Sequence, residues 1–213
     1  MTKIEWDSIG QRTYEIGIDR GVLYIEDTPP TPWYGLLSVS NAFDGGEIES
    51  NFIDGRIFTN SIAKQEYKTT IKAINIPDEF NKCFGINTIE YYGVSGSNQK
   101  TATFNLSYRT LIRNDISVEN KGYKIHLIYN AIASKNDSEF NSLAKTIGKN
   151  ENSISIFNKP SLVNNVVTLP YRVIDSTKYS PEIISTLEDI LYGTDILMPR
   201  FPSMNELDLL LGG

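Results

Sequence analysis

Apolar and polar residues alternate from Thr101 to Ser134 over a longer stretch than elsewhere, and this pattern constrains the fold most. Phe104, Leu106, Tyr108, Thr110 and Ile112 fall on one side of an extended backbone, and Thr103, Asn105, Ser107, Arg109 and Arg113 on the other. After Asn114-Asp115 and Asn120-Lys121-Gly122, a second run carries Tyr123, Ile125, Leu127, Tyr129 and Ala131 in phase. Side chains of a strand point alternately to its two faces, so this is the pattern of a half-buried antiparallel hairpin. One face is expected in a core and the other, polar, in water. That polar face holds no recognisable catalytic set, which suits a chain built to present a surface.

Shorter strands are expected on either side. Tyr14–Asp19 and Val22–Ile25 read as two strands, or as one broken around Arg20-Gly21. Three prolines in Thr28-Pro29-Pro30-Thr31-Pro32 favour an extended connection without backbone donors. Trp33–Val39, a hairpin arm over Ile48–Ile53 between Gly45-Gly46 and Asp54-Gly55, and Tyr67–Ile76 follow. Pro77-Asp78-Glu79-Phe80 reads as a single helical turn with acids at its start. Residues 93–100 read as a polar loop, 134–152 as a loop holding a short helix from Ser138 to about Thr146, and Ser153–Phe157 and Val166–Asp175 as strands. A helix is expected over Pro181–Tyr192, where Ser180 is the N-cap, Gly193 the stop, and Ile183, Ile184, Leu187, Ile190 and Leu191 one apolar stripe. A shorter helix follows Pro202, since Ser203-Met204-Asn205-Glu206 is a capping box ahead of Leu207, Leu210 and Leu211. Strands first and a helix late describe a mainly β (α+β) domain.

With 213 residues the chain can bury a real core as one domain. Its formal charge of -6 argues against a sequence-independent nucleic-acid binder, which needs a basic surface to release counterions from phosphates. A single cysteine, Cys83, forms no internal disulfide, and the chain opens on nothing like a signal peptide, so folding in a cytoplasm is expected. No apolar run reaches the ~18–20 residues of a membrane-spanning helix.

Catalytic chemistry finds little to work with. One histidine and one cysteine cannot supply the four Cys or His ligands of a structural zinc site. His126, between Ile125 and Leu127, reads as a packed or sheet-surface residue, and no Gly-x-Ser-x-Gly elbow accompanies it. Cys83, between aromatics, reads as a small buried hydrophobe. Asp44, Glu47, Glu49 and Asp54 crowd one hairpin but miss the spacing of a calcium loop, and read as an acidic solvated face. No catalytic, cofactor-binding or metal-binding residue is assigned; the chain is expected not to be an enzyme and to need no cofactor.

Several segments together resemble the major tail protein, or tail tube protein, of long-tailed bacteriophages. They are Gly10-Gln11-Arg12-Thr13-Tyr14-Glu15 running into Gly17–Tyr24, Trp33-Tyr34-Gly35-Leu36, Ile74–Phe80 with Cys83, and Leu106–Thr110 with Asn114-Asp115. Gly122–Ala131, Ile174-Asp175-Ser176 and Leu187–Gly193 complete the series, in the family's order. The resemblance implies an antiparallel β-sandwich or barrel of the tail tube type with one flanking α-helix near the C-terminus. It also implies one domain over residues 1–213, with an extended Pro-rich segment near 28–32 and a C-terminal arm near 197–213 as inter-ring elements. Such subunits form hexameric rings stacked into a hollow conduit for DNA delivery.

The implied partners are copies of itself, the tape-measure, tail terminator and baseplate or tail-tip proteins, and duplex DNA passing non-specifically through the lumen, with no membrane. The implied location is the virion tail, reached from the host cytoplasm. An acidic wall would let DNA slide, and Glu47, Glu49 and Asp54 are candidates to face that lumen. Two other readings stay open: a different virion or tail-like particle component, and a ligand-binding β-sandwich using Trp33, Tyr34, Tyr91 and Tyr92 as a stacking platform.

Overall fold

The computed structural model describes residues 9–10, 12–44, 48–62, 66–89, 94–97, 100–116, 119–135, 151–158, 162–163, 166–167 and 170–212. Their elements, in chain order, are strands β1 (Thr13–Ile25), β2 (Thr31–Pro32), β3 (Leu36–Asp44), β4 (Ile48–Ile53), β5 (Arg56–Ile62) and β6 (Glu66–Ala73). A 3-10 helix (Asp78–Phe84) leads to β7 (Ile86–Ile89), β8 (Val94–Ser97), β9 (Phe104–Asn114), β10 (Gly122–Lys135) and β11 (Asn152–Asn158). Then come β12 (Leu162–Val163), β13 (Val166–Val167), β14 (Tyr171–Asp175), a 3-10 turn (Ser176–Lys178), and helices α1 (Pro181–Tyr192) and α2 (Met204–Leu210). The protein is thus mainly antiparallel β with few helices, one of them near the C-terminus.

Eight strands form one sheet in the order β2-β1-β9-β10-β11-β6-β3, with β14 also paired to β10. The long hairpin β9–β10 is its middle. The first half of β10 pairs with β14 (Lys124 to Ile128 against Asp175 to Tyr171), and its second half with β11 (Ala131 to Lys135 against Asn158 to Ile154). Between them sits Asn130 with φ 47°, at an irregularity in the β9 register between Ile128 and Ala131. One extra residue at a bulge reverses the face to which every later side chain points. Ile125, Leu127 and Tyr129 therefore lie on one side, while Ile128, Ala131 and Ala133 share the other. The expected common phase from Tyr123 to Ala131 fails at this point.

Two cores result, one on each side of the middle strands. In the first, Leu23, Phe104, Leu106, Ile128, Ile71, Ile154 and Ile156 close around Phe80 and Cys83 of the 3-10 helix. Phe80 meets Trp33, Phe84 and Phe104 with ring centroids 4.9–5.0 Å apart, tilted or edge-on as aromatic quadrupoles prefer. In the second, α1 and α2 lay Ile184, Leu187, Leu191, Met204 and Leu207 over Tyr24, Ile125, Leu127, Tyr129 and Ile174. Each such side chain contributes roughly 1.5–3 kcal/mol by leaving water, which anchors both helices. The expected α1 is met residue for residue. Ser180 Oγ accepts the Ile183 N–H, and the Gly193 N–H donates to Asp189 O.

The second core overturns one expectation. The polar side of β9 is not wet at its middle: Ser107 is fully buried and Arg109 is 8 % exposed beneath α1, while Asn105 and Arg113 stay partly exposed. Pro77 precedes about two turns of 3-10 helix, Asp78–Phe84, rather than one, and β8 occupies part of the expected 93–100 loop. The expected strand Val166–Asp175 is two pieces, β13 and β14. The helix expected over 138–146 lies outside the described residues.

Candidate functional site

Irregularity in β1 builds the most polar buried cluster. Its pairing with β9 shifts register between Ile16 and Asp19 and again between Asp19 and Val22, with Gly17 at φ 69° and Arg20 at φ 47°. Asp19 thereby comes opposite Arg109, whose Nε and Nη2 each donate to one Asp19 carboxylate oxygen at 2.9 Å. Nη1 donates to Glu188 Oε1 of α1 at 3.1 Å, and the guanidinium lies 4.4 Å from the Tyr123 ring centroid. Arg20 reaches the same Glu188 oxygen at 3.5 Å. Burial alone would weaken the charge of Arg109, but the hydrogen bonds and charge of Asp19 outweigh it and hold the pKa above its ordinary value. The cluster ties β1, β9 and α1 together.

His126 occupies a second polar site on the opposite face of the same strands. It is stacked on Tyr108 with the rings 4.5 Å apart and nearly parallel. Its Nε2 is 2.8 Å from Thr110 Oγ1 and its Nδ1 2.5 Å from the Tyr171 hydroxyl. Thr110 donates its own proton to Glu15 Oε2 at 3.0 Å, so it accepts from Nε2–H, and Nδ1 accepts from Tyr171. The hydrogen bond from Lys124 leads the causes that hold the Glu15 carboxyl below its usual range. Burial pushes the His126 pKa down to about 4, against the pull of Glu15. The imidazole is neutral at pH 7.

Among the described residues, no group of three or more His, Cys, Asp or Glu side chains is placed to hold a metal ion. Among the same residues, no helix is long and apolar enough to cross a membrane. Cys83 is fully buried, and burial raises its thiol pKa to about 12. Of the four aromatics of the stacking platform, Trp33 is 3 % exposed, with its indole N–H donating to Asn75 O at 2.8 Å, whereas Tyr34 is 76 % exposed. Tyr91 and Tyr92 lie outside the described residues. Of the acidic hairpin, Glu47 lies outside them too; Glu49 is in β4 opposite Ser61, and Asp54 is exposed in the β4–β5 turn at φ 51°.

Surfaces remain as the candidate working parts. The great sheet is open: it ends at β2–β1 on one side and at β3 on the other. β2 covers only Val22 and Leu23 of β1, so Thr13 to Asp19 pair only with β9 among the described residues. Among these residues β3 pairs only with β6. Tyr14 and Ile16 on one of these edges and Leu37 on the other are exposed. Among the described residues the β4–β5 hairpin joins no other sheet, and it exposes Ile57 and Phe58. Beyond α1, Ile196 and Met198 stand in the open. These surfaces escape a reading of the sequence because an edge is defined by which strands fail to pair, and α1 and β1 meet only in three dimensions.

The sequence matches no protein-family model and no curated protein. Among solved structures, a chain of the anti-feeding prophage (AFP) baseplate, determined by cryo-EM with 6-fold symmetrisation, overlaps 80% of this chain and 97% of its own at 9% identity, TM-score 0.36. A chain from the PVC sheath/tube terminator in the extended state, part of an extracellular contractile injection system, overlaps 76% and 97% at 16% identity, TM-score 0.33. Overlaps this partial leave the function to be argued from the chain itself.

Proposed function

We propose that the chain is a structural subunit of a phage tail or tail-like particle, which self-assembles into closed rings stacked as a hollow conduit for DNA. The observation that carries this reading is the open eight-stranded sheet with two unlike edges left unpaired among the described residues, Thr13 to Asp19 of β1 and Leu36 to Asp44 of β3. An exposed strand edge is a template for pairing with another chain. When the two edges of one subunit differ, pairing is head-to-tail and closes into a ring if the rotation allows. The two polar clusters fit a structural role, since Arg109 and His126 are each held by hydrogen bonds to side chains of neighbouring elements. The β4–β5 hairpin and the exposed loop 195–198 would reach adjacent rings, whereas Thr31–Pro32 of the Pro-rich segment pairs with β1, and α2 of the C-terminal arm packs on the second core of its own subunit. Asp54, with Glu47 and Glu49, would face DNA in the lumen. Tape-measure, terminator and baseplate proteins would meet the ends of such a tube.

Negative-stain electron microscopy of the purified protein over a concentration series, with light scattering in parallel, tests the reading. Rings or tubes of uniform width are expected. A strict monomer at every concentration would overturn self-assembly.

A further inference from the structure

The loop after α1 is an apolar knob held rigid from within. Thr194 N–H donates to Leu197 O at 2.9 Å, and Thr194 Oγ1 accepts from the N–H groups of Ile196 and Leu197 at 3.4 and 3.1 Å. The base is clamped as well: Gly193 N–H donates to Asp189 O and Arg200 N–H to Ile190 O. Gly193 has φ 78°, and a Cβ there would lie 2.8 Å from Leu197 O and 2.9 Å from Pro199 N. The loop so closed leaves Ile196 98 % and Met198 86 % exposed, with Leu197 half-exposed between them. Single exposed apolar residues are ordinary, but three in a row on a locked tip form a contact element.

The same chain carries a depression of matching character. A groove of about 420 Å³ is lined by Arg20, Val22, Pro32, Trp33, Tyr34 and Tyr192, together with Gly21. Trp33 forms a fixed floor through its bond to Asn75, and Gly21 keeps the wall thin, since a Cβ there would lie 2.3 Å from Leu36 Cδ1. Its rim carries the half-exposed cation of Arg20. The knob carries Asp195, exposed and without an ion pair among the described residues. Apolar tip and apolar groove thus each bring one charge, of opposite sign. The chain does not fill its own groove, since Ile196 stays in solvent, and Arg20 touches Glu188 only at 3.5 Å, which leaves this exposed guanidinium donors for a second carboxylate.

We infer that the occupant of this groove is the 195–198 knob of a second copy of the chain, with Asp195 set against Arg20 of the copy that receives it. The inference rests on the self-assembly reading above and names a side-chain contact that accompanies it. Every copy offers a knob and a groove, so each can give one contact and receive another. A buried aromatic floor with an apolar anchor inserted is the arrangement that concentrates binding energy in few residues.

Crosslinking between two full-length variants tests it. Ile196→Cys and Tyr34→Cys proteins, mixed in equal amounts at a concentration where the wild type associates, are treated with a short bismaleimide; buried Cys83 stays silent. A crosslinked pair is expected in the mixture, with at most a trace from either variant alone. Asp195→Arg and Arg20→Asp should each raise the concentration needed for association about tenfold, and the double exchange should bring most of it back. Association of the wild type without the mixed crosslink and without this rescue would overturn the contact while leaving self-assembly standing. A wild type that stays monomeric throughout would overturn both.

Discussion

Asn105 Oδ1 accepts the Asn130 N–H at 2.8 Å, across the two strands at the middle of the sheet. This bond secures a left-handed residue in the interior of a long strand, which L-residues other than Asn, Asp and Gly rarely adopt. The bend it secures sends β10 from one half of the sheet to the other. Asn130→Gly is expected to leave stability within about 0.5 kcal/mol of wild type, while Asn130→Val should cost about 2 kcal/mol because a β-branched side chain resists that conformation. Urea denaturation of the two variants separates these outcomes, and equal losses would refute the backbone explanation.

Arg109 binds two elements distant in sequence, so its removal should be felt globally. Arg109→Leu is expected to destabilise by about 2 kcal/mol, less than a fully buried pair would, because Asp19 is well exposed. Arg109→Lys should still lose about 1 kcal/mol, since an ammonium cannot repeat the two parallel bonds to Asp19. Thermal or chemical unfolding checks both, and a Lys variant as stable as wild type would show that charge alone suffices.

His126 makes stability depend on pH. Its folded pKa, about 4, lies below the ordinary 6.5, so the unfolded chain binds the proton more readily. The stabilisation is complete above pH 6.5 and declines as pH falls toward 4, by about 3 kcal/mol from this residue. Carboxylates held low, such as Glu15 and Glu206, add losses only below the usual carboxylate range. His126→Gln should therefore flatten the curve between pH 6.5 and 4.5 specifically. An unchanged slope in that window would mean the ring already carries a proton.

Cys83 is sealed against Phe80 and raised to a thiol pKa of about 12 by burial. The native protein should react with a maleimide or disulfide reagent at pH 8 at least a hundredfold more slowly than the same protein in denaturant. Comparable rates would mean that the 3-10 helix opens readily.

Gly193→Ala should unlock the knob, because the new methyl meets backbone at Leu197 and Pro199 and the residue must keep a positive φ. A loss of about 2 kcal/mol is expected, with faster hydrogen exchange at Leu197. Unchanged exchange there would show that the loop holds without glycine.

Local grammar made much of this legible. Ser180, Pro181 and Gly193 bracket α1 to the residue, and Ser203 with Glu206 marks α2, because caps act over three or four residues. The β9–β10 hairpin was equally plain from its alternation. What stayed hidden depends on distant partners. Arg109 reads as a solvent residue until Asp19, 90 positions away, and Glu188, 79 away, neutralise it under a helix. A single Asn130 inverts the pattern of β10 without breaking it. The groove and the strand edges have no signature in order of residues at all, since they are made by what does not pair.

β10 also bears on how the protein carries load. It is hydrogen-bonded to β9 and β14 along one stretch and to β11 along the next, so the helix-covered half and the β11-β6-β3 half share one covalent backbone. A pull applied at β3 reaches α1 through ladders loaded in shear along that strand, with no side-chain joint in series to give way. Subunits linked edge to edge would then transmit tension around a ring as though through a single woven band, and such a band is stiff to stretching while it stays free to bend.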